Sequence, residues 1–234
     1  MKNFQGIIFD FNGVLVWDSH LHVHAWLGLS KELRGSPFSS DELEQHMHGK
    51  ANKYVFEYLL KRTLDSKELA LLCDYKESRY RHLCLQSPED FRLSPGAFEL
   101  LSFLVEKDIP HTIATFAPKD NLDFFIEHLK LEMWFDLEKI VYDDGSYADK
   151  TLMYQHAASH LQLQPEQCIA IEDSHFGISG ALQANIGKVI GLGPKETHDN
   201  LVSLGVHDVI TELTQFERGH FFGTNRNSLD ISSN

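Results

Sequence analysis

An alternation along the chain constrains its fold more than any other feature. Short apolar runs recur at Gly6 to Phe9, Thr112 to Thr115, Lys139 to Tyr142, Cys168 to Ile171, Lys188 to Gly191 and Asp208 to Ile210. From residue 97 onward they are separated by segments with helical spacing, at Ala97 to Glu106, Asn121 to His128 and Leu152 to Leu161. A short continuous apolar run suits a strand buried on both faces, and a helix of crossover length between two such runs returns the chain parallel to itself. The pattern predicts an α/β chain built on a doubly wound parallel sheet.

Residues 17 to 92 interrupt the rhythm. They hold no strand-like run but carry helical patterns such as Val55, Leu59, Leu60 and Leu69, Leu72, Leu83, with Ser39-Ser40-Asp41-Glu42 as a helix start. The expectation is a core domain of residues 1–16 and 93–218, an all-helical insert over 17–92, and a return to the core at Ser94-Pro95-Gly96. The polar, turn-rich segment 219–234 is expected to be disordered.

Composition narrows the function. Of 234 residues 42% are hydrophobic, enough for a real core, and 34 acidic against 21 basic residues give a net charge of -13. Nucleic acid and anionic membranes are therefore poor partners. The cysteines at 73, 84 and 168 are odd in number and widely spaced, which argues against a disulfide framework or a structural zinc site. No segment has the apolar length of a membrane helix, and MKNFQGIIFDF lacks a signal-peptide core. A soluble, cytoplasmic protein is expected, and the sequence carries no argument for a particular oligomeric state.

Chemistry gathers at the ends of the expected strands. Asp10 follows the first, Thr115 ends the second, Lys150 follows the third through YDDGSYADK, and Glu172-Asp173 ends CIAIED. Open α/β sheets bind their ligands in the crevice at these ends. An acid, a hydroxyl, an ammonium and an acid pair make a set suited to phosphoryl transfer: a carboxylate nucleophile, groups to hold phosphate oxygens, and carboxylates for a hard metal ion. Each residue also has a plainer reading. Asp10 could be a loop charge, Thr115 a β-branched strand residue, Lys150 a surface lysine, and Glu172-Asp173 a cap for the next helix.

DFNGVL, TIATFAP, DKTLMY and IEDSHFGI, in that order, resemble the four motifs of the haloacid dehalogenase superfamily. The stretches HVHAW, MHGKANK, SPGAFELL and LQPEQC resemble its branch with a small helical cap, which includes the β-phosphoglucomutases. The resemblance covers about residues 5 to 213 and implies a Rossmann-like core with an inserted cap. It implies that Asp10 attacks phosphorus to form an aspartyl phosphate. The carbonyl of Asn12 and the side chain of Asp173, with Asp10 and Glu172, would hold Mg²⁺. Thr115 and Lys150 would hold the phosphate of a small phosphorylated metabolite, His22, Gly49 and Lys50 would line the substrate side, and Gly177 would keep the turn after the acid pair tight.

The departures matter as much. Where the family usually has an acid two residues after the nucleophile, this chain has Asn12, and an amide cannot carry a proton at neutral pH. General acid–base catalysis contributes about 10² to 10⁴ in rate, so slow turnover of alkyl phosphates is expected, and on this reading Asn12→Asp raises it by about 10²-fold or more. His22 is a candidate stand-in for the missing acid. Thr151 replaces a usual proline. Asn52 stands where the mutases place an arginine for a second phosphate, which puts a mutase below plain hydrolysis. His20, His22 and His24 alternate, so they do not share one helix face as a zinc site would need. Trp17 replaces a usual hinge acid and is expected to pack between cap and core. The leading expectation is a Mg²⁺-dependent phosphohydrolase. The alternatives are a phosphate-metabolite binder without turnover, a 2-haloacid dehalogenase, and a β-phosphoglucomutase-like mutase.

Overall fold

The structure is a computed structural model that describes residues 3–47, 50–147 and 149–221. Its strands are β1 (Gly6–Phe9), β2 (His111–Pro118), β3 (Val141–Asp143), β4 (Cys168–Glu172), β5 (Lys188–Leu192) and β6 (Asp208–Ile210). They form one parallel six-stranded sheet in the order β3-β2-β1-β4-β5-β6. Every residue of β1 and β4 is buried, which is why these strands read as unbroken apolar runs and not as an alternation. The order reverses between β1 and β4, so a crevice opens beyond their carboxyl ends.

Side-chain alternation divides the core into two layers. Ile7, Phe9, Ile113, Ile169 and Ile171 pack with Leu100, Leu101 and Leu104 of α5 (Ala97–Glu106) and Leu122 and Phe125 of α6 (Lys119–Leu129). Ile8, Ala114, Ala170 and Val189 face Met153 and Ala157 of α7 (Lys150–His160) and Ile178 and Ala181 of α8 (His175–Gln183). A short α9 (His198–Ser203) leads into β6.

Between β1 and β2 the regular elements are helical: α1 (Ser19–Arg34), α2 (Ser40–Glu42), α3 (Asn52–Leu60) and α4 (Ser66–Gln86). Trp26, Leu29, Phe38, Val55, Phe56 and Leu59 give this region a hydrophobic cluster of its own. Among the described residues no helix is long and apolar enough to cross a membrane.

Local chemistry moves several boundaries. The third strand begins at Val141, two residues after the expected Lys139, because Asp136 accepts from the Glu138 amide and winds Leu137–Lys139 into a 3₁₀ turn. β2 runs on past Thr115 to Pro118, with a register shift against β3 between Ala114 and Pro118. Ser39 and Glu42 form a reciprocal capping box, yet the α-helix they start lasts only through Glu42 before a π-helical turn at Leu43–Met47. Residues 219–221, placed by sequence in the disordered tail, belong to a 3₁₀ turn, Arg218–Phe221, whose His220 carbonyl accepts from the Phe4 amide. The rest of that segment, 222–234, lies outside the described residues.

Candidate active site

The crevice at the switch point is built by two glycine-dependent approaches and one buried lysine. After β1, Asp10 is held by its amide on the Ile171 carbonyl at 3.0 Å, which ties the loop to β4. Gly13 turns that loop with φ +82°, and a Cβ there would stand 2.0 Å from Asp173 Oδ2, so only glycine admits both the turn and the neighbouring acid. Under α8, a Cβ at Gly177 would lie 1.8 Å from Glu172 Oε1. The tight turn expected there is thus a close packing of helix backbone onto a buried carboxylate. Ser174, and not the acid pair, caps α8 by accepting from Gly177 N at 3.0 Å.

Lys150, the first residue of α7, joins the pieces. Its Nζ donates to Asp10 Oδ1 at 2.6 Å, to Glu172 Oε1 at 2.9 Å and to the Ala114 carbonyl at 2.9 Å. The plain reading of Lys150 as a surface residue does not hold, since it is 3% exposed. Burial alone would lower its pKa, but the two carboxylates raise it above the ordinary lysine value. Tyr154, one turn on, donates to Glu172 Oε1 at 2.8 Å. The Thr115 hydroxyl is buried beside Ala114 and accepts from Ala117 N at 3.1 Å, so its own hydrogen is available to a ligand.

Asp10, Glu172 and Asp173 bring one oxygen each within 4.8 Å of one another. Burial first, and then the charge of Glu172, raises the Asp10 pKa to about 7. Burial and the charges of Asp10 and Glu172 raise Asp173 well above the usual carboxylate range. Three carboxylates thus share one ammonium. A hard divalent cation suits such an oxygen set and would relieve its excess of negative charge.

A second buried polar cluster lies where the helical region meets the core. Asn12 Nδ2 donates to Asp18 Oδ2 at 2.6 Å, and the Tyr80 hydroxyl donates to the same oxygen. His22 stacks on Tyr80 with centroids 3.9 Å apart, and its Nε2 is 3.7 Å from Asp18 Oδ2. Lys76 Nζ lies 2.8 Å from His22 Nδ1 and 2.8 Å from Glu77 Oε1. An ammonium only donates, so Nδ1 accepts and His22 is the neutral Nε2–H tautomer. Burial and the charge of Lys76 accordingly lower its pKa to about 4. Glu77 also accepts from Asn52 at 3.0 Å and from Asn121 of α6 at 2.8 Å. Burial opposes its ionisation, but the charges of Lys76 and His22 and the hydrogen bonds from Lys76 and Asn121 lower its pKa to about 2.

The structure therefore brings Asp10, Lys150, Glu172 and Asp173 together directly, with Thr115 beside them in sequence on β2. It puts Asn12 and His22 around Asp18, a residue the sequence reading passed over. Lys50 is exposed, 5.8 Å from the Tyr54 ring centroid, and Gly49 lies outside the described residues. The expectation that Trp17 packs between cap and core is not met: it is 40% exposed, and the buried residue of the Trp17-Asp18 pair is the acid. Position 17 points outward because the chain turns into α1 there, carrying Asp18 inward to Asn12 and Tyr80. The missed signal was an Asp-Ser pair at a helix start, a pattern that ordinarily means a cap.

A carboxylate cluster around a buried lysine at the switch point of a parallel sheet is an arrangement suited to phosphoryl transfer. Residues 4–185 match the haloacid dehalogenase-like hydrolase family, and the chain belongs to that family. It is 26% identical over 190 residues to a phosphorylated carbohydrates phosphatase of Thermotoga maritima, covering 80% of this chain and 85% of that one. Among solved structures it is similar to a HAD hydrolase, family IA, variant 3, from Entamoeba histolytica, with a TM-score of 0.87 and 31% identity over 93% of this chain and 97% of that one. A β-phosphoglucomutase from Clostridium difficile shares the fold, with a TM-score of 0.75 at 21% identity, covering 93% and 95%.

Proposed function

We propose that the protein is a Mg²⁺-dependent phosphohydrolase of small phosphorylated metabolites such as sugar monophosphates, working through an aspartyl phosphate. The observation that carries this reading is Lys150 Nζ bridging Asp10 and Glu172 inside a cluster of carboxylates. Lysine fixes Oδ1 of Asp10 and so aims Oδ2 at phosphorus. As the Asp10–phosphorus bond forms, the bond to the leaving oxygen breaks, and that oxygen takes its proton from water because Asn12 has none to give. Water then attacks phosphorus and releases Asp10 and inorganic phosphate. Thr115 donates its hydroxyl hydrogen to a phosphoryl oxygen, and Lys150 offsets the charge on another.

Asp10, Asp173 and the carbonyl of Asn12 would hold Mg²⁺, which when bound supplies charge neutralisation between the nucleophile and its anionic target. Glu172 stands behind them. Its Oε1 is engaged by Lys150 and Tyr154 and its Oε2 by the Ser174 hydroxyl at 3.2 Å, so it holds the lysine in place. A name that mentions phosphorylated carbohydrates, in the Thermotoga relative, agrees with a sugar-phosphate class of substrate. A bisphosphate is disfavoured. The amide of Asn52, at the position that would need a cation, is tied to the buried carboxylate of Glu77.

The test is phosphate release from sugar monophosphates and p-nitrophenyl phosphate with Mg²⁺, for the protein and for Asp10→Asn. Release that falls by about 10³-fold or more in the variant is expected. Equal release by both proteins, or halide release from 2-haloacids in its place, would overturn the reading.

A further inference from the structure

Asp18 stands at the N-cap position of α1, where an Asp side chain ordinarily accepts from one of the first backbone N–H groups. It makes no such bond. The side chain is fully buried instead, its Oδ2 taken by Asn12 at 2.6 Å and by the Tyr80 hydroxyl. Its Oδ1, also buried, has no hydrogen-bond partner among the described residues. Forgoing a cap and leaving a buried oxygen unsatisfied both cost stability. The arrangement is therefore poorly explained by folding, and what it accomplishes is to grip the side chain of Asn12.

We propose that Asp18 is the positioning residue of Asn12: the acid that position 12 lacks stands at position 18, fixes the amide by accepting its N–H, and by doing so makes an acid at position 12 unworkable. The inference rests on the phosphohydrolase reading for its meaning, but the contact itself does not. Its logic is donor against acceptor. Asn12→Asp alone sets two carboxylates face to face at hydrogen-bond distance. Asp18→Asn alone keeps a carbonyl for Asn12 and for Tyr80. Both changes together reverse the bond, the amide at position 18 donating to the carboxylate at position 12. An acid is then restored two residues after the nucleophile with its partner intact. The simple expectation from sequence, that Asn12→Asp by itself restores proton transfer, is thereby revised.

The experiment is a double-mutant cycle over the protein, Asn12→Asp, Asp18→Asn and the pair, read in two ways. In thermal denaturation, Asn12→Asp is expected to lower the midpoint by about 5 °C or more, and adding Asp18→Asn to recover most of that loss. In phosphate release with Mg²⁺, the measured quantity is the ratio of kcat/KM for a sugar monophosphate to that for p-nitrophenyl phosphate, whose leaving group needs no proton. The ratio is expected to rise about 10²-fold in the double variant and to stay near the starting value in Asn12→Asp, a change that a merely structural role for Asp18 would not produce. Additive midpoint shifts, or a ratio in Asn12→Asp equal to that of the pair, would overturn the inference. If Asn12→Asp does not fold, recovery of a folded protein in the double variant supports it, and failure of both to fold overturns it. Recovery of the midpoint with no phosphate release by any of the four proteins would sink the phosphohydrolase reading and leave the hold of Asp18 on Asn12 standing.

Discussion

Two buried polar clusters flank the loop after β1, and they differ in what they lack. Around Asp10, three carboxylates within 4.8 Å share, among the described residues, the single ammonium of Lys150, so the cluster is short of whole positive charges. Around Asp18, the hydrogen bonds from Asn12 and Tyr80 and the Lys76–Glu77 pair leave one oxygen, Asp18 Oδ1, without a donor among the described residues. A missing hydrogen bond costs about 1–3 kcal/mol and a fold can carry it. Uncompensated charge in a buried site costs several kcal/mol per ion, enough to raise pKa values or recruit a cation. The first cluster is thus built to receive something charged, and the second to hold a side chain still.

The largest expected effect comes from deepening the first deficit. Lys150→Met removes the bridging cation and leaves Asp10 and Glu172 facing each other in a buried site, a loss of about 3–5 kcal/mol and, for a chain of this size, about 10 °C in midpoint. Glu77→Gln in the second cluster should cost less, since the amide keeps one oxygen for Lys76 and Asn52, and Asn121 on the other side meets a donor in place of an acceptor. Thermal denaturation of both variants measures the contrast. Equal losses would mean that the clusters are alike after all.

Filling the deficit is the next test. If the carboxylates hold Mg²⁺, the ion should stabilise the protein by about 2.7 kcal/mol at a concentration a hundred times its dissociation constant. Asp173→Asn should abolish the gain. Because burial and neighbouring charge raise Asp10 to about 7, the metal-free protein keeps its stability at low pH and loses it as pH rises through 7, and the gain from Mg²⁺ should grow over the same interval. A midpoint indifferent to Mg²⁺ at pH 8 would break the charge-deficit account.

The two clusters were also unequally legible in the sequence. Asp10, Lys150 and Glu172-Asp173 each follow a strand that shows as an apolar run, and parallel strands bring their carboxyl ends together whatever lies between. Glycines at 13 and 177 mark where backbone must approach the acids. The second cluster draws on α1, α3, α4 and α6, and no local pattern says which polar residue of a helix turns inward. Lys76 and Glu77 sit adjacent on α4, yet both are buried because Glu77 finds Asn121, far away in sequence, on the core. Asp18 was hidden by a stronger local rule, that an Asp before a helix caps it. Asn12 could be read as a lost acid, but not as a gripped amide.

The smallest effect expected is the most specific to the second cluster. His22 keeps a neutral ring between Lys76, Asp18, Glu77 and Tyr80, and burial with the charge of Lys76 lowers its pKa from an ordinary 6.5 to about 4. In the unfolded chain the ring binds a proton near 6.5, so between that value and 4 the unfolded state holds more protons than the folded one. The contribution of His22 is therefore complete above about pH 6.5 and is lost as the pH falls toward 4. Asp10, raised to about 7, works in the opposite sense over the same interval but equally in a variant that leaves it untouched. His22→Gln, which keeps an acceptor for Lys76 and a donor toward Asp18 without titrating, should flatten the fall in midpoint between pH 6.5 and 4.5 relative to the parent protein by about 5 °C, on the order of 2 kcal/mol. Parallel curves for the two proteins would mean that His22 titrates alike folded and unfolded, and that the lysine does not hold its lone pair.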